Sequence, residues 1–156
     1  MLGTNIREVG WPACGEIDIM EFVGYEPGVV HANIHTKSYN HVLRTNKGNT
    51  IEVTDPSQNF HVYAIEWFED HIDFFVDETK YFTFKNEGTG NDTWPFDKPH
   101  YLILNAAYGG SWGVPLTDVL ELQGLSVPEF SPTLQKELAS LRYVEDRPSH
   151  PASTGV

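Results

Sequence analysis

The chain has 156 residues, 40% of them hydrophobic and 13% aromatic, which fits one globular domain and excludes a disordered acidic tail. Its 22 acidic residues against 10 Lys and Arg leave a net charge of −12, which argues against a nucleic-acid partner and suits a neutral ligand. A single cysteine, Cys14, excludes an internal disulfide framework and a cysteine-based zinc site, and no apolar run approaches the roughly 18 residues that would span a membrane.

In chain order, strands are predicted over Glu16–Val23, Val29–Thr36, Asn49–Val53, Phe60–Phe68, His71–Val76, Lys80–Phe84 and Tyr101–Ala107. Aromatic and β-branched residues crowd these short runs, and acidic turn residues such as Glu69-Asp70 and Asp77-Glu78 separate them. Seven such runs, with no helical pattern before about residue 130, predict an all-β antiparallel sandwich or barrel. Two long loops interrupt the meander, Lys37–Gly48 and Asn86–Pro99, and loops of this length in a tight meander tend to form functional rims. Beyond Gly113 the texture changes. Ser131-Pro132 reads as an N-cap with proline at the first helical position, and Leu134, Leu138 and Leu141 follow at helical spacing, so a short helix is expected over 131–144, then a solvated tail.

The informative segment is Gly15-Glu16-Ile17-Asp18-Ile19-Met20-Glu21-Phe22. On a strand Glu16 and Asp18 share one face, and Ile17 and Ile19 fill the other. Three carboxylates in six strand residues repel one another, and strands are depleted in Asp and Glu, so stability offers no reason for them. Strict alternation sends Glu21 to the isoleucine face; a β-bulge near Ile19-Met20 would insert one residue and return it to the face of Glu16 and Asp18. A pair of carboxyls across a sugar bond is what glycoside hydrolysis needs, one as acid and the other as nucleophile or base. The alternative is a solvated edge strand with Glu21 facing elsewhere.

This octapeptide resembles the Glu-x-Asp-x-x-Glu signature of the family 16 glycoside hydrolases. The text around it is similar to the laminarinase-like endo-β-1,3-glucanases: Met1–Gly15 with its Gly-Trp-Pro loop, His31–Thr36, Phe60–Val76 and Tyr101–Gly113. The resemblance implies a concanavalin A-like jelly roll whose concave sheet forms a glycan cleft, a β-glucan as partner and no cofactor. It implies Glu16 as nucleophile, Glu21 as general acid/base and Asp18 as the carboxylate that holds Glu16 and tunes the pair. Galactan-cleaving relatives share these three acids, so the β-glucan expectation, with mixed-linkage glucan as an overlapping substrate, rests on the flanking text.

Further positions are expected around them. Trp11 in the Gly-Trp-Pro loop can stack on a sugar face, and its alternative is a core aromatic. The resemblance places His35 near the acid/base, as a hydrogen-bond partner of Glu21 or a plain packed histidine, with His31 and Asn33 on its face by alternation. Asn105 and Trp112 belong to the family's Leu-Asn…Gly-Gly-x-Trp segment and line the cleft or serve structure. Trp94 in the second long loop is a candidate subsite wall, and Trp67 is expected to be buried. His31 and His35 as a metal pair lack a third ligand by spacing, so no metal site is expected, and the family's calcium site, drawn from its two ends, is expected to be absent.

The family's catalytic domain is longer than this chain. Residues 1–113 are expected to be its central and C-terminal part, giving an incomplete sandwich, and 114–156 an unrelated end. Such a domain belongs to a secreted or periplasmic parent, and Met1 opens no signal-peptide pattern. A truncated or misread coding region would explain both ends. Besides a retaining endo-glucanase, two readings stay open: a catalytically inert carbohydrate-binding module, and a poorly folded fragment.

Overall fold

The computed structural model describes residues 1–106 and Trp112. In that part the chain forms β1 (Leu2–Gly3), α1 (Ile6–Val9), β2 (Glu16–Glu21), β3 (Val29–His35), β4 (Lys47–Glu52), β5 (Tyr63–Trp67), β6 (His71–Val76), β7 (Thr79–Lys85) and β8 (His100–Tyr101). All pairings are antiparallel, in one sheet of order β4-β3-β2-β1-β8 and a second of order β5-β6-β7. The all-β antiparallel sandwich is therefore the observed architecture. Among the described residues no helix is long and apolar enough to cross a membrane.

Alternation explains why the sheets stack. Ile17 of β2 and Ala32 and Ile34 of β3 point inward and meet Ile72 and Phe74 of β6 and Phe84 of β7 in one buried cluster. Each of the isoleucine and phenylalanine side chains contributes about 1.5–3 kcal/mol by leaving water. The same alternation sends the odd-numbered neighbours of that core on β3 (His31, Asn33, His35), with Glu16 and Asp18 of β2, to the face turned away from the second sheet.

The structure adds the short β1, begins β4 two residues early, and differs from the expectations at further places. A single helical turn, Ile6–Val9, lies well before residue 130; four residues are too few to show a helical period. The strand expected from Phe60 starts at Tyr63, because the Val62 N–H is taken by the Asp77 side chain at 2.9 Å instead of a ladder partner, and Phe60 is fully exposed. The strand expected over Tyr101–Ala107 pairs only through His100 and Tyr101, the two residues β1 can match, and Leu102, Ile103 and Leu104 stand exposed. Trp94, expected as a subsite wall, is a core residue: it stacks on Phe84 at 5.6 Å and is 5% exposed. Trp67 packs against the core, as expected. Ala107, the helix expected over 131–144 and the rest of the 114–156 end lie outside the described residues.

Candidate active site

The acid row depends on one irregularity. Along the β2–β3 ladder Glu16 faces His35, Ile17 faces Ile34 and Asp18 faces Asn33, but the next pair is Glu21 with His31. Three steps on β2 against two on β3 is one inserted residue, the β-bulge that the Glu-x-Asp-x-x-Glu spacing demands. Met20 is pushed out to solvent, and Glu21 returns to the outward face, where Asn33 Nδ2 donates to its Oε2 at 2.6 Å.

The strand's entry is equally constrained. Gly15 has φ +82°, a conformation that favours glycine, and a Cβ there would lie 2.7 Å from Pro95 Cγ and 3.0 Å from the Phe96 ring. The turn before it is closed by Cys14 N–H to Gly10 O and Gly15 N–H to Pro12 O, both at 3.0 Å. This turn folds Trp11 back so that its indole N–H donates to Glu16 Oε2 at 2.5 Å, while the ring keeps 36% exposure. Trp11 is thus no core aromatic; it is tied to Glu16 with a face left open.

Electrostatics separate the members of the row. Burial, then the Glu16 and Glu21 carboxylates, push Asp18 up to about 8, and Asp18 shares a hydrogen bond with Glu16. At neutral pH Asp18 therefore holds a proton that it can donate to Glu16. His35 lies 3.4 Å from Asp18 Oδ2 through its Nε2. Burial holds this imidazole below the usual histidine range, with Glu16 opposing and His41 adding to the fall.

Of the two expectations for His35, the packed histidine is the one the structure favours. It pairs in register with Glu16 and lies against Asp18, at the end of the row away from Glu21, and Asn33 is the hydrogen-bond partner of the acid/base candidate. Being 7% exposed, His35 offers little surface to a substrate and lies against Asp18. His31 bonds Glu26 at 3.0 Å and meets the Trp112 ring edge-on at 5.3 Å. This puts Trp112, 44% exposed, beside the Glu21 end of the row. Asn105 is exposed and makes none of the polar contacts of the row. Trp94 lines a separate cavity of about 780 Å³ with Trp67, Phe68 and Phe96.

Two further features escape the sequence. Glu16, Asp18 and His35 bring one potential ligand atom each within 4.8 Å of one another, a grouping across the β2–β3 ladder that spacing along the sequence does not show. His31 is not part of that group. In the loop after β3, Asn40 donates to Thr36 O and Lys37 O and accepts from Leu43 N–H, and this knot holds exposed His41 at 5.0 Å from Trp11 and 5.2 Å from His35. No motif or periodicity in Tyr39-Asn40-His41 marks this placement, which follows from the Asn40 hydrogen bonds.

With this geometry in place, comparison with known proteins decides the family. The profile of Glycosyl hydrolases family 16 matches residues 4–119. The chain belongs to this family. A beta-glucanase of Rhodothermus marinus is 51% identical over 108 residues, covering 66% of this chain and 38% of that protein. A keratan-sulfate endo-1,4-beta-galactosidase of Sphingobacterium multivorum is 38% identical over 112 residues, covering 70% of this chain and 26% of that protein. Among solved structures, a serine variant of SCLam, a non-specific endo-beta-1,3(4)-glucanase of family 16 co-crystallised with 1,3-beta-D-cellotriosyl-glucose, superposes with a TM-score of 0.61 at 44% identity. That match covers 63% of this chain and 38% of the other. The chain thus spans 38% and 26% of the two curated relatives it matches here. The jelly-roll expectation holds for the part described.

Proposed function

We propose that this chain carries the chemistry of a retaining endo-hydrolase of β-1,3-glucosidic bonds in laminarin-type β-glucans, with mixed-linkage β-glucan as an overlapping substrate. The observation that carries the reading is the bulge that sets Glu16, Asp18 and Glu21 on one outward face of β2. The beta-glucanase likeness over this segment supports a glucan over a galactan.

In the mechanism Glu16 attacks the anomeric carbon while Glu21 delivers a proton to the leaving oxygen; Glu21 then acts as base and activates the water that releases the glycosyl group. Asp18, protonated at neutral pH, donates to Glu16 and so holds it in line without adding a third negative charge. Trp11, tied to Glu16 through its N–H, leaves a ring face for a sugar at that end, and Trp112 supplies a second aromatic at the Glu21 end. The net charge of −12 suits a neutral polysaccharide.

Reducing-end release from laminarin by the wild type beside Glu16→Gln tests the reading. Hydrolysis by the wild type and loss of it in the variant are expected; equal rates would overturn the assignment.

A further inference from the structure

Asn33 and Asn46 were assigned no role by any motif, yet they form a chain of amides that ends on Glu21. Asn46 Nδ2 donates to Asn33 Oδ1 at 2.9 Å, and Asn33 Nδ2 donates to Glu21 Oε2 at 2.6 Å. We propose that Asn33, anchored by Asn46, is the positioning residue for Glu21: it claims Oε2, so that the proton Glu21 delivers and recovers is carried on Oε1. The proposal rests on the hydrolase reading for the meaning of that proton, but the hydrogen-bonded relay stands on its own geometry.

The chemistry fixes the direction of both bonds. An ionised carboxylate only accepts, so the amide must present its nitrogen to Glu21 and turn its oxygen toward β4. There the oxygen needs a donor, and Asn46 supplies one just before β4 begins. β4 also makes room for the amide. Gly48 pairs with Asn33 in the ladder, and a Cβ at position 48 would lie 2.6 Å from Asn33 Oδ1 and 3.2 Å from its Cγ. The same Cβ would run into the Ala32 carbonyl oxygen, so a side chain there crowds both the β3 backbone and the Asn33 amide. Three elements thus converge on one carboxylate: the bulge of β2, the side chain of β3 and the entry to β4.

The charged groups around Glu21 give Asn33 its importance. On its own strand stand Asp18 and Glu16; β3 presents His31, whose Nε2 is taken by Glu26 at 3.0 Å; the neutral Asn46 stands at the entry to β4, whose charged residues Lys47 and Glu52 lie at its two ends. Among the described residues the hydrogen-bond donor recorded on the Glu21 carboxylate is this one amide. That amide fixes which oxygen stays free to carry the proton. Without Asn33 the side chain would lose that orientation.

Two measurements test the relay. In the first, kcat and KM for laminarin hydrolysis are compared for the wild type, Asn33→Ala and Asn46→Ala. A kcat reduced by roughly tenfold in Asn33→Ala, the worth of one hydrogen bond, and by less in Asn46→Ala, is expected with KM little changed. A kcat in Asn33→Ala equal to that of the wild type, or a loss confined to KM, would overturn the proposal. The second needs no activity: the side-chain amide signals of Asn33 in nitrogen-15 NMR are followed through an acid titration of the wild-type protein and in Glu21→Ala. Movement with the titration and collapse toward free-amide positions in Glu21→Ala are expected; signals indifferent to both would overturn the relay. A wild type that folds and shows the NMR coupling but hydrolyses no glucan would sink the hydrolase reading and leave the relay standing.

Discussion

Each sheet carries a carboxylate on its outward face that is largely removed from water, and the two are treated in opposite ways. On β6, Asp73 is 5% exposed, and burial pushes its carboxyl up. Hydrogen bonds from the Thr83 hydroxyl and from Lys80 at 3.1 Å, with His71 nearby, more than reverse that and leave Asp73 below the usual carboxylate range. On β2, Asp18 meets two further carboxylates and a histidine that burial keeps from charging, and it is pushed up to about 8. Asp73 is a buried charge matched as stable proteins match them. The β2 row is left unmatched, and a group of acids that costs stability is the physical mark of a candidate functional site.

Substitutions can break this contrast, and the largest effect is expected in the row itself. Glu21→Gln should lower laminarin hydrolysis by about 10²–10⁴-fold, the usual contribution of a general acid, while leaving the unfolding midpoint equal to or above that of the wild type because a neutral amide replaces one of the acids crowded around Asp18. A parallel loss of fold, seen in circular dichroism, would contradict the contrast. On the second sheet the signs reverse. Asp73→Ala should leave any hydrolysis intact but cost about 1–3 kcal/mol in urea unfolding, since the Thr83 and Lys80 donors lose their acceptor in a site closed to water.

Proton linkage separates the two carboxylates more finely. Asp18 titrates higher in the folded chain than the ordinary 3.8, so the native state keeps a proton there that the unfolded chain has lost. Its contribution to stability is present in full below that ordinary value and is lost as pH rises to about 8. Asp18→Asn should remove this fall, so its advantage in melting temperature over the wild type should widen from pH 4 to 8. Asp73, held low, contributes above the ordinary carboxylate value and loses that contribution as pH falls through its folded value.

The smallest effect is expected at His61. It bonds Asp77 through Nδ1 at 2.8 Å and Asp55 through Nε2 at 3.2 Å, and these partners raise its titration. A raised histidine contributes stability below its ordinary value of 6.5 and loses it as pH rises through the folded one. His61→Ala should therefore lower the melting temperature slightly at pH 5 and not at pH 9; an equal drop at both would show that packing, not charge, is what His61 provides.

Much of this was legible in the sequence, for reasons that differ residue by residue. Strand alternation alone places Glu16 and Asp18 together, and because a strand has period two, a third acid at the spacing of Glu21 can join them only through a bulge. The bulge is therefore written in the spacing. Cross-strand partners are not. Which residue of β3 meets which acid depends on the register set by the chain between Glu21 and Val29, and that register puts His35 beside Asp18 and gives Glu21 to Asn33. Trp94 misleads for another reason: it sits in a Gly-, Asn- and Asp-rich loop that reads as surface, and only the folded chain shows Phe84 and Phe96 waiting for it. His41 is hidden likewise, since its place beside Trp11 follows from the Asn40 knot and not from any periodicity.

The central claim is that the unmatched carboxylates of β2 cleave a glycosidic bond in two steps with retention. Proton NMR of the first sugar released from laminarin tests it most directly: the β-anomer should appear before mutarotation and be absent with Glu16→Gln, whereas the α-anomer appearing first, or release undiminished in Glu16→Gln, would contradict the account.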